Sequence, residues 1–222
     1  MHLFSQRLPA IGLLALATSL TLASVGCDDP AKGKAKATAS EAVSSAPAPL
    51  SAASSAQYTF DQSASKVSWV GSKVTGKHDG GFGTFKGTID VSDGAPEKSK
   101  VDVEIDATSI SSDQEKLTGH LKSPDFFDVA KHPKATFSST KIDKGGANGA
   151  THTVTGNLTI KGISKSITFP ATLKVDGAQA SVDAEFAINR RDFSLNYAGM
   201  PNDLIRDDVV IKLTIRATKA AK

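Results

Sequence analysis

The sequence predicts an all-β domain of about eight antiparallel strands, interrupted once by a short helical insertion. Three observations carry that prediction. Apolar and polar residues alternate in long runs beyond residue 57, the period of half-buried strands rather than of helices. Turn-forming residues (Asp93-Gly94, Lys144-Gly145-Gly146, Gly162 and Asp176-Gly177) fall between those runs. The period changes in only one place, between Leu117 and Thr140.

Taken in order, the expected strands cover residues 67–75, 83–91, 101–107, 135–142, 154–160, 167–175, 180–188 and 209–215. In the third, Val101, Val103, Ile105 and Ala107 share one face while Asp102, Glu104 and Asp106 share the other, so a single face is apolar. The last repeats the pattern, with Val209, Ile211, Leu213 and Ile215 opposed by Val210, Lys212, Thr214 and Arg216. The helical insertion lies between the third and fourth strands. Ser112 followed three residues later by Glu115 is a capping-box pattern, and Leu117 and Leu121 make an i, i+4 apolar stripe that Pro124 ends. Ser123-Pro124 then reads as the N-cap and first position of a second helical turn carrying Phe126, Phe127 and Val129, an apolar knob that requires burial. Closure of an even strand set removes sticky edges, yet alternation alone fits a β-sandwich as well as a barrel.

The front of the chain has a different character. Residues 1–26 read as a signal peptide, with Arg7 as the positive flank and an uncharged apolar stretch from Ile11 to Val25. Cys27, the only cysteine, follows small residues in a context that resembles a bacterial lipoprotein processing site; a plain secretory peptide with a stray thiol is the alternative. Residues 27–56 are rich in Ala, Ser, Lys and Pro and read as a flexible tether, leaving residues 57–222 as the folded domain. The formal net charge of +3, evenly scattered, gives no argument for a nucleic-acid partner.

The inward faces suggest a ligand. Val67, Trp69, Gly71 and Lys73 share a face, and an ammonium there must be paired, deprotonated or solvated. Lys73 is therefore expected at a barrel mouth, where with Lys77 and His78 it meets an anionic or carbonyl headgroup, or else it merely snorkels past the strand end. Phe82, Phe85, Ile89, Phe137, Phe169 and Phe186 are candidates for a cavity wall, as are Phe126 and Phe127 of the insertion, with plain core filling as the alternative. Gly71, Gly87 and Gly156 sit inside strands, where they permit curvature or leave empty volume. Arg190, Arg191 and Asp192, with Arg206, Asp207 and Asp208, read as ion pairs at the barrel rim. No metal-ligand spacing, nucleophile elbow or phosphate-cradling loop is present, which argues against an enzyme, a metal or a cofactor.

Several separated segments resemble the YceI-like family: 120–129 (HLKSPDFFDV), Pro133, 136–140 (TFSST), 83–87 (GTFKG), 154–162 (VTGNLTIKG) and 189–193 (NRRDF). The resemblance spans roughly residues 58–217. It implies a lipocalin-like barrel that binds polyisoprenoids, which decides for the barrel over the sandwich. Together these readings describe a non-catalytic carrier of an isoprenoid lipid or isoprenoid quinone. It is expected to be exported and held on the periplasmic side of a bacterial membrane through lipidated Cys27. A structural or stress-protective envelope lipoprotein with a filled barrel is the alternative. The oligomeric state stays open, a dimer included.

Overall fold

Alternation along the chain becomes a meander closed on itself. The computed structural model describes residues 29–44 and 55–220; Cys27 and the expected signal peptide lie outside the described residues. The elements are β1 (Ala35–Lys36), β2 (Thr38–Glu41), β3 (Ser55–Asp61), β4 (Lys66–Lys73), β5 (Gly76–Phe82), β6 (Phe85–Ser92), β7 (Ser99–Asp106) and β8 (Ile110–Ser112). Helix α1 (Glu115–Lys122) follows, then β9 (Lys134–Lys144), β10 (His152–Ile160), β11 (Ile163–Val175), β12 (Gln179–Asn189), β13 (Gly199–Met200), β14 (Asp203–Leu204) and β15 (Asp208–Lys219).

These strands make eight antiparallel staves. β3 and β4 form one broken stave, because they pair in succession with β6 (Ser55↔Ser92 to Asp61↔Lys86) and β5 (Ser68↔Gly81 to Lys73↔Gly76). β5 and β6 make the second, kinked at residues 83–84. β7 and β8 make the third, broken by a short 3-10 turn that Asp106 caps by accepting from the Thr108 N–H. β9 to β12 follow in order, and β15 closes the barrel by pairing with β12 on one edge and with β3 and β4 on the other. The expected strand at 67–75 thus ends at Lys73 and turns back into β5, whose glycines hide it from a periodicity count. The first stave also begins earlier than expected, at Ser55.

Most of the outside of the wall is polar, the exception being Val70, Ala187 and Val210, which Ala31 covers. Lys134 donates to Glu104 at 3.0 Å and Ser138 to Asp102 at 2.6 Å, cross-strand pairs between β7 and β9. Inside, one apolar cluster around Phe169, Phe186 and Ile188 adjoins another around Tyr58, Phe60 and Ile215. The Tyr58 hydroxyl donates to the Gly177 carbonyl at 3.3 Å and ties down the end of the barrel opposite α1.

Two local expectations are corrected. Ser112 is not the N-cap of α1; Gln114 holds that position, while Ser112 accepts from the Gln114 N–H and its own N–H donates to Thr118 Oγ1 at 2.9 Å. The hydroxyl is used one turn too early to reach the helix end. The second helical turn after Pro124 is a string of hydrogen-bonded turns instead, with Phe127 N–H donating to Leu121 O and Asp128 N–H to Ser123 O. Asp128 adopts a φ of 46°, which turns the chain out of a helical path.

The largest correction concerns the tether. β11 and β12 pair with each other only between 172–175 and 180–183, and toward the α1 end they diverge. Residues 35–41 fill the gap: β1 runs parallel to β12 (Ala35↔Phe186) and β2 antiparallel to β11 (Thr38↔Thr168 to Glu41↔Lys165). Ala31 is buried against Val70, Ala187 and Val210, and Ala37 packs on the inner cluster. Ion pairs Lys34–Glu185 (2.8 Å), Lys36–Asp208 (2.5 Å) and Lys165–Glu41 (2.5 Å) flank the segment. A segment with too few apolar residues to fold alone can still complete a wall whose two edges already exist, because the edges supply the backbone partners and only small side chains are needed.

Candidate functional site

A cavity of about 740 Å³ occupies the barrel, within the ~300–1,000 Å³ range of small-molecule sites. Its body is lined by aliphatic and aromatic side chains from every stave, among them Val67, Ile89, Ile105, Leu158, Ile188 and Ile211. The polar lining residues, including Lys73, His78, Gln114, Lys116, His120 and Asp203, all belong to segments at the α1 end. That end is the mouth. The arrangement separates an apolar pouch from a polar collar, as the periodicity demands once Val67, Trp69, Gly71 and Lys73 follow one another up one stave.

The aromatic wall has a definite geometry. Phe169 and Phe186 stack with centroids 4.1 Å apart and planes within 14°, and Phe137 leans on Phe169 at 5.8 Å. Across the lumen Phe82 meets Phe127 edge-on at 6.1 Å. Three glycines explain how such rings leave room. A Cβ at Gly87 would lie 2.3 Å from the Phe60 ring, one at Gly156 would lie 2.4 Å from the Phe137 ring, and one at Gly80 would lie 2.2 Å from the Trp69 indole. These rings lie flat over glycine floors. The volume expected to be empty above Gly87 and Gly156 is therefore taken by aromatic rings, and flattening the rings is what keeps the centre of the lumen open.

Of the expected site residues, Trp69, Lys73, His78, Phe82, Ile89, Phe126, Phe127, Phe137, Phe169 and Phe186 line this cavity. Phe85 does not. It is buried in the cluster of Tyr58, Phe60 and Ile89, where Phe60 rather than Phe85 meets the lumen. Lys77 is exposed on the outer side of β5 and is absent from the lining. Phe126 is buried with Trp69, Ile110 and Leu121, whereas Phe127 is only partly buried.

At the collar Lys73, His78 and His120 each have a carboxylate partner. Lys73 Nζ lies 2.5 Å from Asp203 Oδ2, and Asp203 Oδ1 also accepts from the Thr75 N–H and hydroxyl. The bond from Lys73 holds the Asp203 carboxyl below the usual carboxylate range, with Thr75 adding to it and partial burial opposing it. His78 Nδ1 lies 2.9 Å from Asp113, and His120 Nε2 lies 3.0 Å from Asp125 while its ring packs edge-on against Phe126 and Tyr197. Lys73 is thus a paired mouth lysine rather than a free one. Among the described residues, the Trp69 Nε1 and the Ser72 hydroxyl are buried polar atoms on lining residues with no hydrogen-bond partner.

Sequence reasoning missed the residues between Asp192 and Arg206, which contribute Leu195, Tyr197, Met200 and Ile205 to the mouth. Their organiser is Arg190, buried to 3% exposure. It donates to the Arg206 carbonyl (3.1 Å), the Ile205 carbonyl (3.3 Å), the Leu195 carbonyl and Asp207 Oδ1 (3.2 Å), while Arg191 donates to the same carboxylate at 2.6 Å. Burial lowers the Arg190 pKa and Asp207 opposes that shift. Of the rim charges expected as ion pairs, Arg190 and Arg191 pair with Asp207, whereas Arg206 pairs with Asp29 and Asp208 with Lys36, and the Arg190 bonds clamp an aperiodic loop that no periodicity could reveal.

With the geometry in hand, the chain matches the model of the YceI-like domain over residues 58–217. It is 36% identical over 123 residues to protein YceI of Escherichia coli O157:H7, covering 51% of this chain and 63% of that one. It is 34% identical over 122 residues to a UPF0312 protein of Pectobacterium atrosepticum, covering 52% and 62%. The match therefore spans less than two thirds of the length of these curated relatives. Among solved structures, BcnA of Burkholderia cenocepacia superposes with a TM-score of 0.63 at 29% identity, over 72% of this chain and 99% of that chain. A polyisoprenoid binding domain from Saccharophagus degradans, implicated in plant cell wall breakdown, gives 0.58 at 17% identity over 73% and 98%, a likeness of fold alone.

Proposed function

The chain belongs to the YceI-like domain family, and on that premise we propose that it carries an isoprenoid lipid, a polyprenyl compound or an isoprenoid quinone, inside its barrel at the bacterial cell envelope. The observation that carries this reading is the apolar lumen of about 740 Å³ that opens at a polar collar. An isoprenoid tail is insoluble, and a soluble domain can hold it only by removing its surface from water, at about 25 cal/mol per Å². At ~30 Å³ per water-sized group, the lumen accepts roughly two dozen carbon-sized atoms, so a longer tail would extend through the mouth. The unpartnered Trp69 Nε1 favours a ligand with an oxygen-bearing head, since a buried donor left unbonded is costly and a carbonyl or hydroxyl beside it would supply the acceptor. The polyisoprenoid binding described for the S. degradans domain names the same ligand class for a protein of this fold.

In this proposal the protein acts by sequestration rather than catalysis, and acyl chains on Cys27 hold it to the membrane from the periplasmic side. A barrel filled by its own side chains, the alternative, would leave no lumen of this size. The test uses Trp69, the only tryptophan, as reporter. Titration with an isoprenoid quinone should quench its fluorescence saturably at one equivalent per barrel. Linear, non-saturating quenching in folded protein would refute the carrier reading. For the anchor, Cys27→Ser should move the protein from the membrane to the soluble fraction; a folded serine variant that stays with the membrane would refute lipidation.

A further inference from the structure

Among the described residues, four large apolar side chains are strongly exposed, and three of them sit together at the cavity mouth. Val74, at 55% exposure, tips the turn between β4 and β5; Met200 (63%) and Leu204 (50%) tip the β13–β14 hairpin. The two tips are joined, since Val74 N–H donates to the Leu204 carbonyl at 3.2 Å and Lys73 bridges to Ile205. Met200 also lines the cavity, so this ridge is the lip of the lumen rather than a remote patch. Two carboxylates at this end are paired, Asp203 with Lys73 and Asp29 with Arg206 at 3.6 Å.

The chain enters the fold at the same lip. Arg206, which holds Asp29, follows Leu204 by two residues and donates its backbone N–H to Ser72. Cys27 is two residues from Asp29, and two residues of chain span at most about 7 Å. Because residues 35–41 are built into the barrel wall and Ala31 is packed against it, an anchor on Cys27 would hold the mouth close to a membrane instead of letting the barrel roam on a long tether.

The geometry points to a membrane-docking face: the barrel seats mouth-down on a phospholipid bilayer, with Val74, Met200 and Leu204 inserted among the lipids at its surface. Exposed apolar tips around the mouth of an apolar cavity fit a bilayer because lipid could then pass between membrane and lumen without crossing water. This deepens the carrier proposal and rests on it for its purpose, but the test below requires neither a bound isoprenoid nor acylation.

The full chain carrying Cys27→Ser is labelled with bimane at Met200→Cys, or as a control at Ala147→Cys in the turn at the opposite end of the barrel. Each is mixed with vesicles of phosphatidylethanolamine and phosphatidylglycerol. The expected result is a blue shift and protection from an aqueous quencher at position 200 only, with Leu204→Asp lowering vesicle binding by about tenfold or more. No shift at position 200 under excess lipid overturns the docking face even if Cys27 proves to be acylated. Equal shifts at both positions also overturn it, as non-specific adsorption. A shift at position 200 that appears on concentrating the protein without vesicles overturns it in favour of a contact between two copies of the chain.

Discussion

Adding one methyl group at Gly156 should both destabilise the barrel and narrow its lumen. The new Cβ would stand 2.4 Å from Phe137 Cζ and 2.6 Å from the Ser138 carbonyl of the neighbouring strand, where ordinary contact begins at 3.4 Å. The ring must retreat by about 1 Å, and its free direction is the lumen that it lines. The backbone oxygen must also give way, which costs more than rotating a flexible side chain. Overpacking of this kind typically costs about 1–3 kcal/mol. Gly71→Ala is the matched control, because its Cβ would lie 3.5 Å from the Trp69 ring, an ordinary contact. That substitution should be neutral or stabilise by about 0.4–1 kcal/mol through the unfolded chain. Urea denaturation of both variants gives the stabilities, and quinone quenching of Trp69 gives the affinities. Gly156→Ala should weaken binding by about fivefold or more for each ~1 kcal/mol of lost contact, while Gly71→Ala, whose methyl reaches the lumen without displacing a ring, should weaken it less. Equal stability and equal affinity for the two variants would refute the view that aromatic rings lying on glycine floors shape the lumen.

Phe126→Ala should cost about 3–5 kcal/mol, because Phe126 is buried between Trp69 and Leu121, and Phe127→Ala should cost less because Phe127 is only partly buried; thermal melts of the pair should keep that order. Asp203 has its pKa depressed, chiefly by the Lys73 hydrogen bond. Its contribution is therefore complete at neutral pH and is lost as pH falls from the ordinary value near 3.8 through the lower folded one. Asp203→Asn should flatten that part of the acid limb, and an unchanged limb in acid titrations followed by circular dichroism would contradict the pairing. Ala31→Asp should unseat the N-terminal strands while sparing the closed barrel, so hydrogen exchange should rise across residues 35–41 and remain slow in β15.

Most of the strands, the first helix of the insertion and most of the cavity wall were legible in the sequence because each depends on a local period. Trp69, Lys73, Phe137, Phe169 and Phe186 needed only the two-residue alternation to be placed on the inner face. What stayed hidden depends on contacts between distant segments. Phe85 obeys the same alternation as Ile89, but Phe60 from another stave takes the position facing the lumen. Residues 35–41 carry no apolar stripe, and their place in the wall follows from the divergence of β11 and β12, which no feature of residues 29–44 announces. Likewise Arg190 looks like a rim charge until its carbonyl partners are seen. The capping-box pattern failed for a related reason, since Ser112 Oγ bonds within its own turn instead.

Organic extraction of the protein purified from the cells that make it, followed by mass spectrometry, tests the central claim most directly. A lumen of about 740 Å³ opening at a polar collar should retain one isoprenoid lipid per barrel, and delipidated, refolded protein should take up an added isoprenoid quinone to the same stoichiometry. Folded protein that yields no isoprenoid on extraction and takes up none on incubation would contradict the account.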